Sequence, residues 1–283
     1  MNDFFVHYFF IKPAILKDFT FYSGDFLPEN RAFLYGDAVR VSFFIHNSKL
    51  IMGEECYFFL MASMRKMRMH IPMSYTLEFF QQLIAEKVLH QGIDAAVIDF
   101  LVYRGTSTTA LHKAEVSFFA RIKPGIDVLQ IGDALQLDLL KDLSVNTHLL
   151  SNIRVHSPEN TYAEIYAKEN DLDEVILLNP QKRIARSISG NLLFLDHDTI
   201  KIPKQSEGAY ISPLMENFVT FVHKNRLAEI QEAEMIAFES QKAEEILLIS
   251  DEKGVFSVSK IRNKTFSATR FTEMVAQWRT QFV

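Results

Sequence analysis

A mixed α/β architecture in two domains is what this sequence predicts, and three observations predict it. At 283 residues the chain exceeds the roughly 100–200 residues of a typical single domain. Strand-like and helix-like hydrophobic periods alternate through its first half. Lys123-Pro124-Gly125, the clearest pair of chain breakers, then separates that half from a second succession of strands and helices. The expected domains are residues 1–122 and 123–283. A composition that is 48% hydrophobic and 12% aromatic is globular, so a substantial core can form.

The elements follow in order. Met1–Phe10 is apolar but lacks a basic leader and a small-residue cleavage site, so it reads as an N-terminal strand rather than a targeting segment. Ala38–Ile45, the turn His46-Asn47-Ser48-Lys49 and Leu50-Ile51-Met52 predict a hairpin. Glu54–His70 carries Tyr57, Leu60, Met61, Met64 and Met67 near three-and-four spacing, a helix whose stripe faces the core. Pro72 stops it, Ser74 is placed to cap a second helix at Tyr75–Gln91, and Gly92 closes that one. Ala95–Tyr103 and Glu115–Ile122 read as paired strands joined through the turn at Arg104-Gly105-Thr106.

Beyond the breaker, strands are expected at Leu135–Leu140, Leu143–Leu149, Glu174–Leu178 and Glu245–Ser250, with a hairpin of Leu192–Leu195 and Thr199–Ile202 around Asp196-His197-Asp198. Helices are expected at Pro158–Asn170, Pro213–Arg226 and Thr269–Val283. The acidic residues of Glu229–Glu245 read as a solvated face.

Composition narrows the function. A formal charge of −5 and a pI near 6.0 give no general attraction to nucleic acid or to an anionic membrane. No run of about 18 apolar residues occurs, so no transmembrane helix is expected. Cys56 stands alone, which excludes an intrachain disulfide and a cysteine-rich metal site, and a cytoplasmic location is the default. The nine histidines show no metal-ligand spacing, so no metal is expected, and no GxGxxG, GxxxxGKS/T or GxSxG motif is present.

One set of blocks does carry chemistry. Arg31-Ala32-Phe33-Leu34-Tyr35-Gly36-Asp37-Ala38-Val39 is followed by Leu60-Met61-Ala62-Ser63, Tyr103-Arg104-Gly105-Thr106 and Asp173-Glu174-Val175-Ile176-Leu177-Leu178. Ser189-Gly190-Asn191-Leu192-Leu193-Phe194 and Ala243-Glu244-Glu245-Ile246-Leu247-Leu248 complete the series. In order and separation these blocks resemble the class IV aminotransferases over about residues 20–260. The family comprises branched-chain and D-amino acid aminotransferases and aminodeoxychorismate lyases, which are fold-type IV pyridoxal phosphate enzymes. The resemblance implies a D-amino acid aminotransferase-like fold, with a smaller N-terminal α/β domain and a C-terminal β-barrel-like domain. It also implies a homodimer and a cofactor site between the domains.

At the positions where that resemblance implies catalytic groups, this chain carries others. Pyridoxal phosphate chemistry needs a lysine amine, placed some twenty residues before the strand that holds Glu174. Lysine is absent between Lys141 and Lys168, and Arg154 aligns there. A guanidinium stays protonated and cannot serve as that amine. The glutamate expected five positions before Asn191 is Arg186, whose charge disfavours a protonated pyridine. The implied phosphate cup falls on Phe59, Pro213-Leu214-Met215 and Asp251 beside Ser250, none of which matches the family's arginine, Gly-Ile-Thr turn and threonine. Arg104 matches an arginine that faces substrate carboxylates in some members. Arg40 and Val41 replace a common aromatic and a common glutamate.

The expectation is therefore a class IV aminotransferase-like protein without pyridoxal phosphate catalysis and without a catalytic residue set. Its interdomain cleft would bind an anionic small molecule, with Tyr35, Arg40, Arg104, Arg154, Arg186 and Asn191 as candidate ligand-binding residues. Two alternatives stand beside it: an active pyridoxal phosphate-dependent aminotransferase or aminodeoxychorismate lyase, and a structural or regulatory dimer that binds a protein partner.

Overall fold

The computed structural model describes residues 19–23, 29–105 and 114–283. The expected strand at Met1–Phe10, and Thr106 of the Arg-Gly-Thr turn, lie outside the described residues.

The first sheet is antiparallel and contains β1 (Thr20–Tyr22), β2 (Ala38–His46), β3 (Lys49–Ile51), β4 (Ala96–Arg104) and β5 (Val116–Pro124) in the order β1-β5-β4-β2-β3. Asn47 and Ser48, at φ 50° and 58°, make the tight β2–β3 turn that the sequence predicts. Short helix α1 (Arg31–Tyr35) leads into β2. Helix α2 (Gly53–Lys66) buries Cys56, Phe59, Leu60, Met61 and Met64, the apolar stripe expected from its spacing. Helix α3 (Leu77–Lys87) is capped by Thr76, whose side chain accepts from Phe79 N, and not by Ser74. Ser74 lies in the turn that follows Pro72.

The second sheet comprises β6 (Ile131–Leu140), β8 (Glu174–Leu178), β9 (Ile184–Ser187), β10 (Asn191–Asp196), β11 (Thr199–Pro203), β12 (Glu229–Ala233), β13 (Glu245–Ser250), β14 (Gly254–Ile261) and β15 (Lys264–Thr265). Its order is β12-β11-β10-β13-β14-β6-β8-β9, with β15 on β14. The two ends of this order meet: Ile184 N donates to Met235 O at 2.7 Å beside an Arg183–Ile236 bridge, which curls the sheet into the expected barrel-like form. Alternate residues fill its interior, among them Leu192, Phe194, Ile246, Leu248 and Val258. Their neighbours Leu193, Leu195, Leu247 and Ile249 face outward into a core shared with the first sheet and the helices. Strands buried on both faces read as continuous apolar runs, and these do.

Helices α4 (Pro158–Glu169), α5 (Pro213–Lys224) and α6 (Thr269–Arg279) complete the fold. Trp278 of α6 is fully buried and its indole N–H donates to Asn217 Oδ1 at 2.9 Å. Among the described residues no helix is long and apolar enough to cross a membrane.

Three expectations need correction. Leu143–Leu149 is not a strand; only Val145 N reaches a strand carbonyl there, that of Leu178, and the segment runs as a loop. The last helix ends at Arg279 and is followed by a short 3-10 turn, Thr280–Phe282. Glu245 is buried rather than solvated, because its carboxylate accepts from Arg270 N at 3.0 Å and Phe271 N at 2.9 Å. It caps α6, whose own N-cap residue Ala268 has no side-chain acceptor.

Candidate functional site

One short strand from the second half joins the first sheet. Strand β7 (Arg154–Val155) pairs antiparallel with β2, Val39 opposite Val155 and Arg40 opposite Arg154. The turn before β2 lies close against the residues after β7. A Cβ on Gly36 would fall 2.5 Å from His156 Cβ, and Gly36 has φ 64°, so glycine is required on both counts. Beside this seam lies a cleft of about 440 Å³, whose walls include Arg40, Arg154, His156, Ser157, Glu252 and Lys253. That volume is within the range of small-molecule sites.

Charge is concentrated in its floor. Arg154 is 9% exposed; its Nη1 lies 3.1 Å from Glu252 Oε1, its Nη2 donates to Ser189 O, and its Nε is buried without a partner among the described residues. Arg40, on the neighbouring strand, donates to the same Glu252 oxygen at 3.1 Å. Burial alone would lift the Glu252 pKa, but Arg154 and Arg40 outweigh it and hold that carboxyl at about 2. Burial likewise opposes the Arg154 charge, yet Glu252 and Tyr210 raise its pKa above the ordinary value. Arg154 is thus a fixed cation at the cleft wall.

Arg186 stands behind it. The ring of Tyr210 meets both guanidinium groups, its centroid 4.6 Å from Arg154 Cζ and 4.2 Å from Arg186 Cζ. Asn191 locks that ring in place through its amide: Oδ1 accepts from Tyr210 N at 2.9 Å and Nδ2 donates to Tyr210 O at 2.8 Å. Asn160, on the first turn of α4, donates to the Tyr210 hydroxyl at 3.0 Å and accepts from Arg186 Nη1 at 2.9 Å. The turn between β9 and β10 passes tightly over β13; a Cβ on Gly190 would sit 2.2 Å from Ile249 O.

Asp251 closes the other end. Its carboxylate accepts from Ser212 Oγ at 2.6 Å and from the Leu214 backbone N–H, so it occupies the N-terminus of α5. Burial lifts its pKa to about 6 against the opposing pull of Arg154 and Ser212. Phe59 is packed in the core. Lys253 reaches along the cleft to Glu174 Oε1 at 2.7 Å; that buried carboxylate also accepts from Ile188 N at 3.0 Å and from the Ser189 hydroxyl.

The predicted ligand-binding residues divide accordingly. Arg40 and Arg154 line the cleft. Arg186 and Asn191 lie beneath it around Tyr210. Arg104 is buried and committed to Asp37 Oδ1 and Met67 O, and Tyr35 is exposed under the Arg31 guanidinium. Sequence reasoning missed Tyr210, Glu252, Lys253, Ser157 and Asn160. Glu252-Lys253 directly follow Asp251, which offered the only available signal; Tyr210 carried none.

These positions can now be compared with known proteins. The amino-transferase class IV family model matches residues 60–261. The chain belongs to the class IV aminotransferase family. Among solved structures, it is similar to the branched-chain aminotransferase of Thermoproteus uzoniensis with norvaline, at 13% identity and TM-score 0.81 over 92% of this chain and 93% of that one. It is also similar to a putative 4-amino-4-deoxychorismate lyase of Legionella pneumophila, at 15% identity and TM-score 0.80 over 91% and 96%. The branched-chain amino acid aminotransferase of Thermobaculum terrenum in its PLP holo form matches at 15% identity and TM-score 0.78 over 91% and 89%. These identities establish the fold. No curated protein matches the sequence. Arg154 and Arg186 both lie against one tyrosine ring, that of Tyr210.

Proposed function

We propose that this class IV aminotransferase-fold protein, with domains at 1–122 and 123–283, acts without pyridoxal phosphate and binds a small anionic molecule in the cleft between its sheets. One observation carries this reading: Arg154 and Arg186 both stack on the Tyr210 ring, so two guanidinium groups and no lysine amine stand at this part of the site. The residues at the site do not fit the cofactor of the Thermobaculum terrenum holo structure. Arg154 offers no amine, Asp251 sets a carboxylate at the helix N-terminus where an anion would bind, and Phe59 offers no charge.

The same residues suit a free anion. Arg154 is fixed by Glu252 and Ser189 O, and its Nε is buried without an acceptor among the described residues. Arg40 and Lys253 add mobile positive charge at the rim, with side chains 43% and 50% exposed. The first turn of α4 presents Ser157, Asn160 and Thr161 to the cleft. A fixed guanidinium inside and flexible cations outside provide orientation first and attraction second.

The test has two arms. Purified protein mixed with pyridoxal phosphate is expected to show no absorption from a lysine-bound cofactor and no borohydride-stable lysine label. Malonate, citrate and inorganic phosphate are then titrated calorimetrically, and Arg154→Met is expected to abolish the heat of whichever binds. A labelled lysine would overturn the first arm. A wild-type protein that binds none of the three probes, or binding untouched by Arg154→Met, would overturn the second. In the rival reading of an active enzyme the amine is Lys253, which lines the cleft among the described residues, so peptide mapping of any label separates the two. The oligomer expected is a homodimer, read by light scattering.

A further inference from the structure

A second, smaller chamber lies behind Tyr210. It has a volume of about 70 Å³ and its walls include Arg186, Tyr210, Asn146, His148, Ser157 and Glu159. The Val155–Ser157 segment forms part of the walls of both this chamber and the cleft. The chamber is not needed for the reading of the cleft given above.

Arg186 is the reason to ask what it holds. The residue is 4% exposed, and no carboxylate among the described residues lies within ion-pair distance of it. Its Nη1 donates to Asn160 Oδ1 at 2.9 Å and to Ser187 O at 3.0 Å, both neutral acceptors, while its Nε is buried without any. Arg154, by contrast, has Glu252. Glu159 and Glu174 attract Arg186 only through space, so burial leaves one of its donors unmet, and a bound anion would meet it.

We infer that the Arg186 chamber is a binding site for a small monocarboxylate. At roughly 15 Å³ for each water-sized occupant, the volume admits about five non-hydrogen atoms, which suits acetate or formate. The guanidinium N–H groups not engaged by Asn160 and Ser187 are the donors for a carboxylate. Glu159 selects against higher charge: its oxygens are held by Asn146 Nδ2 at 3.2 Å and Ser157 Oγ at 2.9 Å, leaving a fixed negative group on the chamber wall. Repulsion from that charge is about twice as strong for a dianion such as phosphate as for a single carboxylate. Asn146 and His148 are exposed at the chamber's outer side and mark the way in.

Ligand-observed NMR on the full-length protein tests this with acetate, formate and inorganic phosphate at matched ionic strength. Acetate and formate are expected to show saturation transfer from the protein and phosphate titrations no competition with them. Arg186→Met is expected to weaken acetate binding by about ten- to a hundredfold, the loss of a charge-assisted hydrogen bond. Arg154→Met is expected to leave it unchanged, which separates this site from the cleft. His148→Trp, a change at the exposed mouth, is expected to block acetate without disturbing the buried ring stack, so the test stands if Arg186→Met does not fold. Absence of acetate binding to the wild type, acetate binding that survives His148→Trp, or displacement of acetate by phosphate would each overturn the assignment.

Discussion

Replacing Glu252 by Gln removes the carboxylate that Arg154 and Arg40 share at 3.1 Å each. The pairing holds the Glu252 pKa at about 2 against an ordinary value of 4.5. At about 1.36 kcal/mol per tenfold, that difference corresponds to about 3 kcal/mol of stability at neutral pH. An independent estimate agrees, since leaving a buried charge without its partner costs about 3–5 kcal/mol. Arg154 is the largest single charge acting on Glu252, and the 43% exposed Arg40, screened by solvent, adds to it. The sign follows from a depressed carboxyl: the contribution is complete above pH 4.5 and is lost as the pH falls towards 2. Urea denaturation at pH 7 is therefore expected to find Glu252→Gln less stable by about 3 kcal/mol. The gap should narrow below pH 4.5, and adding Arg154→Met should recover most of it. A loss under about 1 kcal/mol at pH 7, or a loss independent of pH, would refute the reasoning.

Asp251 has the opposite sign. With its pKa raised from 3.8 to about 6, its contribution is complete below 3.8 and is lost as the pH rises through about 6. The wild type is expected to lose about 3 kcal/mol relative to Asp251→Asn over that interval, measured by denaturation of both at each pH. Cys56 is fully buried beside Asp251 and Glu55, and burial first, then those two charges, pushes its thiol well above the ordinary range. Reaction with a thiol reagent is expected only at the rate of global unfolding; fast labelling of the native protein would contradict the burial.

The regular elements were legible because their hydrophobic periods are local. The stripe of α2 and the runs of β10 and β13 can be read without knowing what they touch. Leu143–Leu149 failed because an apolar run becomes a strand only where a neighbour pairs with it, and the chain here meets Leu178 at a single hydrogen bond. The burial of Glu245 is not legible in sequence, because an acidic stretch gives no sign that one of its members will cap a helix more than twenty residues later. Arg104 carried the right residue type for an anion anchor, but Asp37, brought next to it by β2 and β4, already occupies it.

By itself the sequence determined the fold class and the family, since each rests on residue type and spacing along the chain. Tertiary structure alone decided what Arg154, Arg186 and Asp251 do. Tyr210, separated from Arg154 by more than fifty positions and from Arg186 by more than twenty, is set against both by α4, β9 and the Asn191 amide. Glu252 becomes the counter-charge of Arg154 only where β13 ends beside β7. Charge, stacking and enclosure depend on distance in space, which residue order fixes only through the closed barrel and the strand pairing of β2 with β7.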